Sequence, residues 1–170
     1  MTMESEFVRF SAERLEAQYG RIETCVAKLN PAQVWMRQSE NENAVGNLLL
    51  HLAGNVRQWI LSGVGGAPDI RERDREFAAR DQMPPAELTA RLRATVEEAV
   101  RVIRGLSAGA LMERVTVQGH DVTKMEAVYT VVEHFAGHTF QIIFATKLLT
   151  SEDLGFFAHL NPPAAKNESA

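Results

Sequence analysis

Apolar residues recur along this chain in steps of three and four rather than two, the spacing of helices with one buried face. Phe7, Leu15, Tyr19, Ile22, Val26 and Leu29 form the first such stripe. Asn30-Pro31 ends it, because proline has no backbone N–H to give and suits the first turn of a new, short helix over residues 32–37. After the polar loop 39–43 a second helix is predicted over about residues 44–61, closed by Gly63, Gly65 and Gly66. Pro84-Pro85 opens a third, whose buried stripe is Leu88, Leu92, Val96, Ala99, Ile103 and Leu106. The alternating stretch 114–121 ends in a glycine turn and predicts a short extended piece. Thr123 and Glu126 then have the spacing of a capping box, which starts a fourth helix over roughly 124–149.

The second and fourth helices differ from the others in being apolar on nearly every side, which predicts burial on more than one side. In so small a protein that burial suggests a subunit interface, and hence a homodimer. Residues 68–83 are dense in charge of both signs and read as a solvated connection, although one of their arginines could grip an anionic substrate.

With 170 residues the chain has the length of one domain, expected over residues 1–160, with a flexible tail over 161–170. Hydrophobic residues make up 45% and charged residues 24%, as in an ordinary globular protein. The net charge of −4 offers no excess of Lys and Arg for a phosphate backbone, so no nucleic-acid partner is expected. No stretch is long and uncharged enough to span a bilayer, and residues 1–10 lack an apolar signal core. Cys25 is the only cysteine, which excludes an internal disulfide and a cysteine-based zinc cluster and fits the cytoplasm. It lies on the apolar stripe of the first helix and reads as a small buried hydrophobe.

The candidate chemistry lies in histidines. His134 and His138 are four apart, so both leave one face of the fourth helix and can reach one ion at ~2.1 Å. His51 sits in the middle of the second helix, among leucines. Any one buried histidine is ordinarily a core residue with its own polar partner. Three of them on the two most buried helices are served more simply by one shared metal ion. A metalloprotease is excluded because Phe135 stands where the general-base glutamate belongs. Di-iron carboxylate bundles need Glu-x-x-His on two helices, and no such pair exists. Bis-histidine haem ligation has the ligands it needs but no further support. His120, in a turn, and His159, near the end, read as surface residues.

The segments NENAVGN, NLLLHLAGN and VVEHFAGHTFQI, in that order, resemble the DinB/YfiT-like superfamily, and RDREF resembles its DUF1572-type branch. The resemblance implies an all-α four-helix bundle with an up-down-down-up connection and frequent dimers. It also implies a divalent metal held by His51, His134 and His138. Gln141 matches the glutamine of the family's H-x-x-Q segment and is expected to support the site or a ligand. Thr139-Phe140 stand where many relatives carry Arg-Gly, so no role of that arginine carries over.

Three imidazoles leave a coordination position open, as catalytic sites do, and they accept Zn, Ni, Fe or Mn, with Zn or Ni foremost. The resemblance implies transfer to or from a low-molecular-weight thiol, activated as its thiolate. A metal-dependent hydrolase and a non-catalytic metal-binding or interaction module remain as alternatives. No catalytic acid or base stands out beside the ligands.

Overall fold

A computed structural model describes residues 2–81 and 83–160; the tail expected over 161–170 lies outside the described residues. Six α-helices and one hairpin follow in the order α1 (Met3–Val26), α2 (Pro31–Val34), α3 (Val45–Val56), α4 (Arg73–Ala78), α5 (Pro85–Arg104), β1 (Arg114–Val117), β2 (His120–Thr123) and α6 (Lys124–Thr150). The starts of α1, α2 and α6 each have a local cause. Thr2 accepts from Ser5 N–H at 3.2 Å, and Asn30 accepts from Gln33 N–H at 2.9 Å with Pro31 in the first turn. Thr123 and Glu126 form the expected capping box at the head of α6.

The four long helices pack around one core, with α1 and α3 each lying against both α5 and α6. Among its fully buried large side chains are Leu15, Ile22, Leu49, Leu52, Leu88, Leu92, Ile103, Phe135 and Ile142. No helix among the described residues is long and apolar enough to cross a membrane.

The second predicted helix is longer than its pattern suggested and changes character partway. It is α-helical to Val56 and continues as a π-helix over Arg57–Val64. The wider turns close with a bond from Gly65 N–H to Ile60 O at 2.8 Å. The predicted extended piece is a full antiparallel hairpin, with Val117 opposite His120. Val117 fits against Gly63, where a side chain would collide with it, and this anchors the hairpin on the π segment.

The two helices that are apolar all round have different explanations. Almost every residue of α3 is buried within this chain, because α5, α6, α4 and the π segment surround it. Its pattern needs no second subunit. α6 instead leaves Tyr129, Phe140, Phe144 and Leu148 exposed along one edge.

Two buried asparagines and one glutamine stand in this apolar setting. Asn47 is fully paired: it accepts from Ala44 N–H at 3.1 Å and donates to the carbonyls of Glu76 and Ala79 at 3.0 Å each. It thereby caps α3 and holds α4 over it. Gln18 lies on the stripe between Leu15 and Ile22, 1% exposed, with neither amide atom bonded to any described residue. An unpaired buried amide costs on the order of 1–3 kcal/mol. Gln18→Met keeps the shape and removes that cost, so it should stabilise the fold by about 1–2 kcal/mol. The check is a higher urea midpoint at unchanged m-value.

Candidate metal centre

His51 projects from α3 and His134 and His138 from α6, and the structure brings all three rings together. Ring centroids are 5.0 Å apart for His51–His134 and His51–His138, and 4.4 Å for His134–His138. One ligating atom from each lies within 4.8 Å of the others. His51 Nε2 and His134 Nε2 face each other at 2.9 Å. Ligands at ~2.1 Å around a tetrahedral ion stand ~3.4 Å apart, so a small adjustment would admit one.

What aims the rings is as informative as the rings themselves. His51 Nδ1 is 3.1 Å from Glu76 Oε2, so its N–H donates to that carboxylate and the Nε2 lone pair points toward the other histidines. Gln141 Oε1 accepts from His138 Nδ1 at 2.7 Å, which frees the Nε2 of that ring in the same way. A backing partner of the type that metal-ligating histidines use stands behind two of the three rings.

Glu76 is a residue that the sequence reading missed. It lies in the charged stretch expected to be solvated, yet it is 8% exposed. Arg71 explains how this is tolerated: its Nε and Nη2 donate to the two Glu76 oxygens at 2.8 Å each, and its side chain is only 3% exposed. Burial alone would raise the Glu76 carboxyl, but the Arg71 and His51 hydrogen bonds outweigh it and hold it below the ordinary range. Two of the charges in 68–83 thus turn inward as a pair that closes one wall of the site. The signal was present in principle, since a buried His51 needs a partner for Nδ1 and α4 is the nearby source of carboxylates.

Burial pushes the His134 imidazolium down to about 4, with the neighbouring His138, His51 and Arg71 charges adding to the effect. Burial also lowers His138, against the opposing Gln141 bond. Both rings are therefore neutral at pH 7, the form that binds metal. The other candidates lie elsewhere. Cys25 is fully buried, and burial raises its thiol. His120 is exposed and stacks on Trp59 at 6.3 Å between centroids. His159 is exposed, and so is Glu133, the carboxylate adjacent to His134.

A cavity of about 230 Å³ opens at His51 and His134, lined also by Asn55, Trp59, Arg71, Arg73, Gln118 and Thr130. A second cleft of about 310 Å³ is lined by Arg71 and Glu76 and, among the described residues, by no histidine. The candidate ligands His51 and His134 line the smaller one.

A family model described as a protein of unknown function, DUF1572, matches residues 2–160. A crystal structure of a conserved protein from Enterococcus faecalis is similar, with a TM-score of 0.74 and 15% identity over 89% of this chain and 99% of that one. At that identity the likeness concerns the fold alone. No curated protein matches this chain.

Two expectations follow. In metal-free protein the unfolded chain takes up histidine protons near pH 6.5, whereas folded His134 does so only near 4. Stability should therefore fall as pH drops through that interval, read as the urea midpoint against pH. A methyl group at Gly54 would collide with the Glu76 carboxylate. Gly54→Ala should thus push Glu76 off His51 and weaken metal binding roughly 10- to 100-fold with all three histidines intact, as measured by competition with a chromophoric chelator.

Proposed function

The chain belongs to the DUF1572 family, whose function is unknown, and from that premise we propose that His51, His134 and His138 hold one divalent metal ion that serves a small-molecule reaction. The observation that carries this reading is the convergence of three imidazoles, two of them aimed by Glu76 and Gln141. An all-nitrogen set of this kind suits Zn or Ni foremost, and Fe or Mn as well. Three protein ligands would leave such an ion a position for a further ligand, and a cavity lies beside His51 and His134.

The reaction we favour is S-transfer with a low-molecular-weight thiol. A divalent ion supplies Lewis acidity there, which keeps a thiol deprotonated at neutral pH. What this chain's residues do is hold the rings, exclude water from one side with Trp59, and place cationic groups, Arg71 and Arg73, along the wall. Metal-dependent hydrolysis is the second reading and ranks lower on a specific ground. Among the described residues no carboxylate lines the cavity as a free base, and Glu76 behind His51 is committed to Arg71 and His51. A non-catalytic metal-binding module remains the outcome if no ligand enters.

The same reading places the chain among DinB/YfiT-like proteins, as a cytoplasmic four-helix bundle with up-down-down-up connections. It also makes the exposed apolar edge of α6 (Tyr129, Phe140, Phe144, Leu148) the contact of a homodimer.

The metal test is elemental analysis of untagged protein: near-stoichiometric metal in the wild type and none in the triple His→Ala variant. Unchanged content in the variant would refute the site. The thiol test uses cobalt-substituted protein. Adding 2-mercaptoethanol should raise a ligand-to-metal charge-transfer band, and silence with every small thiol would remove the transferase reading.

A further inference from the structure

We infer that the cleft bounded by α3, α5 and the α4 segment is a second binding site, which takes a small organic anion with an apolar body. It is separate from the histidine cavity because α3 presents two faces. His51 and Asn55 line the cavity, whereas Leu50, Ala53 and Arg57, three and four residues apart on another face, line the cleft. Arg91 and Thr95, one turn apart on α5, line it as well.

The apolar part of the wall is Trp35, Leu50, Ala53 and Met83. Trp35, Leu50 and Met83 are only partly buried, and beside them the cleft stays open to about 310 Å³. That volume is at the small end of ligand pockets, which run from about 300 to 1,000 Å³. The wall is fixed in place. Trp35 Nε1 donates to Met83 O at 3.1 Å, so the indole has spent its polar atom. Its ring is seated against Gly46, where an added methyl group would come within 2.9 Å.

The charges around this apolar wall do not cancel. Arg57, Arg71, Arg75 and Arg91 line the cleft with only Glu72 and Glu76 to balance them. Arg71 is paired with Glu76, and Arg75 with Glu72. Arg57 and Arg91 are left without an ion pair among the described residues. Asp69 offers them nothing, since its oxygens accept from Gln58 Nε2 and from Arg71 N–H. Arg57 is half-buried, with its Nε sealed in and unbonded. That nitrogen meets no ligand, but the positive charge is spread over the whole planar group and is felt across the cleft. A bare inorganic anion would leave the apolar wall wet, and a neutral hydrocarbon would leave two cations unmatched. A carboxylate on an apolar body answers both.

Nothing here requires a metal, so the test reads binding alone. The chain has two tryptophans, and Trp59→Phe leaves Trp35 as the reporter of the cleft by fluorescence. The probes are 3-phenylpropionate, neutral 3-phenylpropanol and acetate, which lacks the apolar body. 3-Phenylpropionate should bind about tenfold tighter than either of the others. Arg57→Gln combined with Arg91→Gln should bring the ratio of 3-phenylpropionate to 3-phenylpropanol close to one. The alcohol should bind that variant as it binds the parent, which shows that the cleft is intact. Should the double variant not fold, Arg91→Gln alone, at an exposed position, should still lower the ratio severalfold. Chelator treatment should leave 3-phenylpropionate binding unchanged. A ratio near one in the parent, a ratio that survives the arginine substitutions, or binding lost with the metal overturns the inference. In the last case the carboxylate sits at the histidines, and the metal reading stands while the second site falls.

Discussion

A carboxylate removed from water persists only where donors surround it, and that constraint organises this protein. Glu76 is buried in a small helical protein beside a core of leucine and isoleucine. Its charge is met on both sides, by the Arg71 guanidinium and by the His51 ring. Neither contact would be affordable alone, since a buried ion missing one partner costs several kcal/mol. Because both are present, the carboxylate fixes the tautomer of His51, and through it the direction in which the ring presents its free nitrogen. Asn47 completes the arrangement from the backbone side by holding the α4 carbonyls at the start of α3.

The candidate site is built in two layers of different sequence character. The inner layer, His51, His134 and His138, rides on long apolar helices whose stripes position it as a by-product of core packing. The outer layer is polar and heterogeneous: Glu76 and Arg71 from the charged segment, Gln141 from α6 itself. The π-helical stretch Arg57–Val64 follows directly on the turn bearing Asn55 and brings Trp59 to the cavity. π turns recur near functional sites because they re-aim side chains without breaking the helix.

The helices were legible because their causes are local. Apolar steps of three and four, Pro31 and Pro85 in first turns, and the Thr123–Glu126 pair each declare themselves within a few residues. The histidines were legible through spacing and setting. Less was visible where the cause is long-range. A glutamate in RDREF looks like any solvated charge until α4 is laid across α3, and nothing in local pattern announces that fold-back. The apolar breadth of the second helix was visible, but its cause was not, because the chain's own α4, α5 and α6 cover it. The π-helix left no local mark either, as its apolar residues fit an ordinary helical stripe.

Gly54 carries a consequence for how such chains can vary. The space its missing side chain would fill belongs to the Glu76 carboxylate and the Arg71 guanidinium. Mid-helix glycine forgoes up to ~1 kcal/mol of helix propensity relative to alanine, and here that loss is tolerated for the sake of a partner far along the chain. The two positions are therefore coupled. A related chain that had given up the acid would be free to regain alanine, whereas one that keeps the acid is confined to glycine, and comparing such chains would show these two changes travelling together.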